Sequence, residues 1–178
     1  MRKTREIPFR IGNMIGLVGC CFAFGLIYCA PNLSVAMRFL AYLIAIGCLI
    51  FGPHCLAHYI VGSLMGVRFK RYLVRRSTIE KLGIPLVSDI ASKLPVLSLQ
   101  IDHASLALVT EKEKAAMYAS GAFCSAILPF VVVFSSLNEG PASLSLSLFF
   151  CCFGNLLFEF YYSPKAGDFS RIKRSVKK

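Results

Sequence analysis

The feature that most constrains this chain is a set of four long apolar runs. Each approaches the roughly 20 apolar residues that a helix needs to span a bilayer. Because the bilayer core holds no water to satisfy exposed backbone groups, runs of this kind fold as helices. The sequence therefore predicts an all-α membrane protein with four transmembrane helices, at Ile11–Ala30, about Phe39–Val67, about Met117–Ser136 and about Leu144–Tyr162.

The composition supports one membrane domain. Of the 178 residues, 56% are hydrophobic and only 16% are charged. A soluble domain is about 45–50% apolar and about 25% charged, so this chain has more apolar surface than a soluble fold of its size buries. We expect a single integral membrane domain over residues 1–178, without a second globular domain.

The positive charge is distributed unevenly along the chain, whose net charge is +11. Lys and Arg number four before the first run, nine in the segment 68–114 and six after the last run, whereas the loops 31–37 and 137–143 contain none. Four spans place the three basic groups on one side, and the positive-inside rule makes that side the cytoplasm. The pattern predicts a multi-pass protein with both termini cytoplasmic. Its basic surface suits anionic lipid headgroups rather than nucleic acid.

The connection between the second and third spans, residues 68–116, is too long for a simple turn and should hold structure or function. Val96–Asp102 alternates apolar and polar residues, which predicts a short β element on the cytoplasmic side. Thr110 followed by Glu113 fits a capping box, so we expect the third helix to begin at Thr110.

Two histidines, His54 and His58, occur within the second apolar run. Residues at i and i+4 of a helix lie about 40° apart around the axis and roughly 6 Å apart along it, so both rings can aim at one point. Zinc-binding helices present two nitrogen ligands in this way. The preceding Gly52-Pro53 predicts a break in the span that starts a new half-helix at the histidines. Counted back from Val67, His58 is roughly 14 Å from the end of the span.

A metal site needs a third ligand, and carboxylates near the spans are scarce. Asp168 follows Pro164 and Gly167, which can unwind the end of the last helix and let the chain fold back. Glu159 lies within the last span and can pair with a basic residue near the headgroups. Two other interpretations stay open: Asp168 as a surface or capping residue, and the histidines as hydrogen-bonded bridges between packed helices.

The order of these motifs resembles that of the site-2 protease family, which are intramembrane zinc metalloproteases. The resemblance spans most of Phe39–Arg171 and rests on three segments: His54–Gly62 with its HxxxH pattern, the small-residue segment Thr110–Ile127, and Asn155 followed by Gly167-Asp168. It implies zinc as the cofactor and His54, His58 and Asp168 as its ligands. It also implies that the strand near Leu97–Asp102 holds an extended substrate.

The sequence departs from the family pattern at the catalytic position. The family has a glutamate after the first histidine, where this chain has Cys55, and the expected proline after Ala122 is Phe123. A thiol is a poor substitute for a carboxylate as general base. The favoured interpretation is a pseudoprotease that binds zinc and a transmembrane or membrane-associated protein. Two alternatives remain: an active protease with a displaced base (Glu159, Glu80 or a water chain), or a non-catalytic structural or assembly protein.

Overall fold

Four long apolar helices dominate the computed structural model, which describes residues 5–76, 95–165 and 167–176. They are long and apolar enough to cross a membrane. The predicted all-α membrane fold with a short β element is therefore confirmed. The four candidate spans are Phe9–Asn32, Val35–Leu64, Glu111–Ser136 and Ala142–Tyr162.

The helices follow the apolar runs, with one interruption. The third span is divided in two, because Pro129 has no backbone N–H to continue the helical ladder. A short 3₁₀ turn at Ala30–Asn32 follows the first helix. The helices are α1 (Phe9–Cys29), α2 (Val35–Leu64), α3 (His103–Leu108), α4 (Glu111–Ile127), α5 (Phe130–Ser136), α6 (Ala142–Tyr162) and α7 (Asp168–Val176).

An antiparallel sheet forms at one end of the bundle from β1 (Arg5–Ile7), β2 (Phe69–Arg76) and β3 (Pro95–Ile101), in the order β1-β2-β3. The strand predicted from the alternating pattern is thus confirmed as β3. The other two strands were not predicted, because the basic residues of β2 match the surface that is expected to face the lipid headgroups. Tyr72 of β2 nevertheless lies opposite Leu99 and is buried, so this strand has an apolar inner face.

The predicted break at Gly52-Pro53 is wrong, because α2 continues through Pro53 to Leu64. Proline removes one hydrogen bond from the ladder, and a helix packed among others in a membrane tolerates this loss. Since α2 ends at Leu64 rather than Val67, His58 is about 9 Å from the end of the helix at 1.5 Å per residue.

The two halves of α2 have different surroundings. Its first half, including Tyr42 and Leu49, is buried in an apolar cluster with residues of α5 and α6 such as Val132 and Leu148. The histidines lie in the second half, nearer the sheet, where α2 packs against α1 and α4. The apolar cluster therefore holds the first half of α2 in place, and the histidines lie outside this cluster.

Helices α1 and α2 approach each other very closely at Gly16. A Cβ atom on Gly16 would lie 2.7 Å from the backbone oxygen of Gly52. Small residues at such crossings let the helix backbones touch, which is a common way to pack helices in a membrane. The contact is with backbone, so a side chain at this position cannot be accommodated by a rotamer change.

We therefore expect Gly16→Ala to lower the free energy of unfolding by about 1–3 kcal/mol, the usual cost of overpacking. Gly25→Ala in the same helix is the matched control, because a Cβ on Gly25 meets nothing within 4 Å. Thermal unfolding of both variants in the same detergent measures the difference. Equal stability of the two variants would show that α1 and α2 do not meet at Gly16.

Helix α4 begins with the predicted capping box, which is confirmed. The backbone N–H of Glu113 donates to Thr110 Oγ1 (3.3 Å), and Glu113 Oε2 accepts from the Thr110 backbone N–H (2.7 Å). The hydroxyl of Thr110 also donates to Glu113 Oε2 (2.8 Å).

Candidate metal centre

His54 and His58 lie one turn apart on the same side of α2. Their ring centroids are 4.9 Å apart and the rings are nearly perpendicular. The His54 side chain is 31% exposed, whereas that of His58 is 12% exposed. The His58 ring is therefore largely enclosed by the protein, while about a third of the His54 side chain is exposed.

Asp168 reaches the histidines because the chain turns back after α6. The turn is centred on Ser163, whose carbonyl accepts from the Gly167 N–H (3.1 Å) and whose hydroxyl accepts from the Phe169 N–H (3.1 Å). Asp168 is the first residue of α7, and this helix packs against α4. The expected unwinding near Gly167 is thus present, and it turns the side-chain carboxyl of Asp168 toward α2.

The three side chains converge on one point. Asp168 Oδ2 lies 3.3 Å from His54 Nε2 and 3.1 Å from His58 Nε2. The candidate ligand atoms all lie within 4.8 Å of one another, and within the described ranges no other group of three or more His, Cys, Asp or Glu does this. Two ligands of a tetrahedral ion, each about 2.0–2.1 Å from the metal, are about 3.4 Å apart. The group can therefore hold a metal ion after a small movement of one ring.

A hydrogen bond to Met117 of α4 determines which ring nitrogen of His58 carries the proton. His58 Nδ1 lies 2.7 Å from the backbone carbonyl oxygen of Met117, and a carbonyl can only accept a hydrogen bond. Nδ1 therefore carries the proton, and in the neutral ring Nε2 has a free lone pair directed at Asp168. Metal-ligating histidines commonly have their second nitrogen held in this way.

The donor set is chemically suited to a cation. Burial raises the pKa of the Asp168 carboxyl, but hydrogen bonds and charge interactions with the two imidazoles outweigh it and hold this pKa well below its usual range. Asp168 is thus an anion facing two imidazole nitrogens. Two ring nitrogens and one carboxylate oxygen at a single point form a donor set that could hold a cation.

Gly121 of α4 gives His58 the space it occupies. A Cβ atom on Gly121 would lie 2.2 Å from His58 Nε2, well inside contact distance. Met117, Gly121 and Ser125 recur at four-residue spacing, so one face of α4 lies along the histidine face of α2. None of these three residues was identified from the sequence as part of the site. The small residues Gly121 and Ser125, one turn apart, were the signal that could have identified this face of α4.

The Cys55 thiol is hydrogen-bonded to a group outside the cluster. Its Sγ donates to the backbone oxygen of Leu97 in β3 (3.4 Å). It also lines an apolar cavity of about 400 Å³ between α1, α2 and the sheet, together with Gly12 and Tyr72. Cys55 is not among the candidate ligands.

The other carboxylates proposed from sequence have different positions. Glu159 is half-buried in α6 and close enough to His54 and Asp168 for charge interactions with both. The predicted pairing of Glu159 with a basic residue has no counterpart among the ion pairs of the described residues. Glu80 lies outside the described residues. Arg171, one turn beyond Asp168, places Nη1 3.8 Å from the second carboxylate oxygen Oδ1.

Comparison with known proteins identifies no relative of this chain. No protein-family model matches the sequence, no curated protein matches it, and no solved structure matches the fold. Function is therefore inferred from the geometry of the site.

Proposed function

We propose that this chain is a site-2-protease-like membrane protein that binds zinc through His54, His58 and Asp168 but lacks the usual catalytic glutamate. The observation that carries the proposal is the convergence of two imidazole Nε2 atoms on one oxygen of Asp168, at 3.1–3.3 Å. Nitrogen and carboxylate ligands of this kind are those that zinc prefers. The order of the ligands along the chain also agrees with the family resemblance.

Three protein ligands suit a zinc ion with an open fourth position, which is typical of catalytic rather than structural zinc sites. When bound, zinc would polarise a water or carbonyl oxygen at that position. The protein supplies the three ligands, holds His58 through Met117 and leaves part of His54 exposed. The site thus keeps the features that a metalloprotease needs for binding.

The general base is what the site lacks. Such a base contributes typically about 10²–10⁴-fold to the rate and must reach the proton that it removes. Cys55 stands in the position of the base, and its thiol is directed to a backbone carbonyl. We therefore infer a pseudoprotease that recognises a membrane partner without cleaving it.

The proposed topology places both termini and the sheet in the cytoplasm. Strand β1 near the N-terminus pairs with β2 in the connection, and α7 near the C-terminus packs on α4, whose first turn adjoins that connection. These contacts support a common side for the three basic groups. The positive-inside rule assigns that side to the cytoplasm, where anionic headgroups are available to Lys and Arg.

The proposed partner is a transmembrane or membrane-associated protein that presents an extended segment. Strand β3 pairs with β2 on one side and has no second strand neighbour in the described part of the chain. An unpaired strand edge can bind an extended peptide by adding a strand to the sheet. Because Leu97 of this strand contacts Cys55, a segment bound there would lie close to the histidine helix.

Metal analysis of the purified protein tests zinc binding. We expect about one zinc per chain after purification in detergent with zinc supplied, and loss of this zinc in His54→Ala. His103→Ala, which changes a histidine outside the cluster, should keep it. A wild-type protein that takes up no zinc favours the structural or assembly interpretation instead.

Peptide cleavage tests the pseudoprotease assignment. We expect no cleavage of membrane-segment peptides by the wild type and a gain of cleavage in Cys55→Glu. Cleavage by the wild type would overturn the assignment and favour the second candidate, an active protease. The position of Glu159 near His54 and Asp168 supports that candidate, and Glu159→Gln would then abolish cleavage.

A further inference from the structure

Ser125 of α4 contacts His54 but offers no ligand atom to the candidate metal centre. Its side chain is almost fully buried (1% exposed), and its Oγ lies 2.7 Å from His54 Nδ1. This nitrogen is the one that faces away from Asp168. A hydrogen bond at this position determines which nitrogen of the ring carries the proton, and so which one is free to bind a metal.

The hydroxyl of Ser125 has acceptors of its own on two helices. Its Oγ lies 3.0 Å from the backbone oxygen of Ile50 and 3.1 Å from that of Gly121. Both are carbonyls, which only accept, so either can take the hydroxyl proton and leave Oγ as an acceptor for His54 Nδ1–H. Ser125 can therefore hold the ring in the form that binds a cation through Nε2.

The backbone of Ser125 is held from another span. Asn155 Nδ2 on α6 donates to the Ser125 carbonyl oxygen (2.9 Å), while Ile50 on α2 accepts from its hydroxyl. Ser125 therefore joins three spans at the level of His54. The Ser125 hydroxyl contacts Nδ1 of His54, as the Met117 carbonyl contacts Nδ1 of His58.

We propose that Ser125 is a positioning residue that holds the His54 ring through Nδ1 and thereby directs Nε2 toward Asp168. The consequence for zinc rests on the proposed function, in which Nε2 is a ligand. The orientation of the ring does not, because the contact between Ser125 Oγ and His54 Nδ1 involves no metal ion. The two parts can therefore be tested separately.

The first measurement is the hydrogen bonding of His54 Nδ1 in metal-free protein by ¹⁵N NMR. We expect a hydrogen-bonded Nδ1 in the wild type and a changed Nδ1 chemical shift in Ser125→Ala, where the partner is lost. Ser125→Thr keeps the hydroxyl and should keep the wild-type shift. Ser136→Ala is the matched control, because Ser136 is equally buried and hydrogen-bonded to Ser145, away from the histidines.

The second measurement is zinc affinity by competition with a chromophoric chelator. Loss of a partner that orients a metal ligand typically costs about 10–100-fold in affinity, and we expect this loss in Ser125→Ala. Ser136→Ala should bind zinc like the wild type even if it is equally destabilised. Restoration in Ser125→Thr separates the hydroxyl from a general packing effect.

The outcomes distinguish this inference from the proposed function. An unchanged Nδ1 chemical shift in Ser125→Ala overturns the positioning role, whether or not zinc binds. If the wild type binds no zinc but Ser125→Ala shows the changed Nδ1 shift, the zinc function is overturned and the positioning role stays intact. Equal loss of zinc in Ser125→Ala and Ser136→Ala would overturn the specific role of Ser125 in metal binding.

Discussion

Asp168→Asn is expected to lower zinc affinity by more than about 100-fold. The substitution keeps the shape of the side chain but removes the negative charge at the point where two imidazole nitrogens meet. Loss of a partner outside the ligand shell already costs about 10–100-fold, so loss of a ligand should cost more. Competition with a chromophoric chelator measures the affinity, and circular dichroism confirms that the helices persist.

Asp102→Asn is the control for the loss of one carboxylate. Asp102 pairs with Lys70 (3.2 Å) at the end of β3 and lies outside the cluster. We expect this variant to bind zinc like the wild type. If Asp168→Asn keeps wild-type affinity, Asp168 is not a ligand, and the histidines bind the metal with another donor or not at all.

Gly121→Ala is expected to remove zinc binding without changing any proposed ligand. The added methyl group would lie 2.2 Å from His58 Nε2, so the ring has to leave its position. Within a helix, alanine is otherwise favoured over glycine by about 1 kcal/mol, so the helix itself should not be weakened. Metal analysis should find little zinc in the variant.

Gly154→Ala provides the matched control, because a Cβ on Gly154 in α6 meets nothing within 4 Å. It should fold like the wild type and keep its zinc. Full zinc occupancy in Gly121→Ala would place the His58 ring away from α4. That result would contradict the hydrogen bond to Met117 as well as the proposed site.

The spans were predictable from the sequence because each depends on local composition. Apolar runs of sufficient length determine a membrane helix, and the Thr110–Glu113 capping box determines where α4 begins. The convergence of His54, His58 and Asp168 also agrees with the sequence, since helical spacing aligned the histidines and Gly167 allowed the chain to turn back. The identity of the metal remains a prediction.

The remaining features depend on contacts between distant segments. Residues Arg5–Ile7 form a strand only because β2 offers a partner. The apolar inner face of β2 was not evident from its sequence, because its composition is basic. Proline rules predict a break at Pro53, but packing around α2 overrides them. The roles of Gly121 and Ser125 follow from the approach of α4 to α2, which no local pattern specifies.

The position of Asp168 beyond the last span has a consequence for biosynthesis. Because this residue follows Tyr162, a ribosome has translated all four spans before the third ligand emerges. Nascent chains that stop at the end of α6 carry both histidines but lack Asp168. Under the proposed function, metal capture is therefore a late maturation step, and a bound ion would mark a chain in which α7 has docked after membrane insertion.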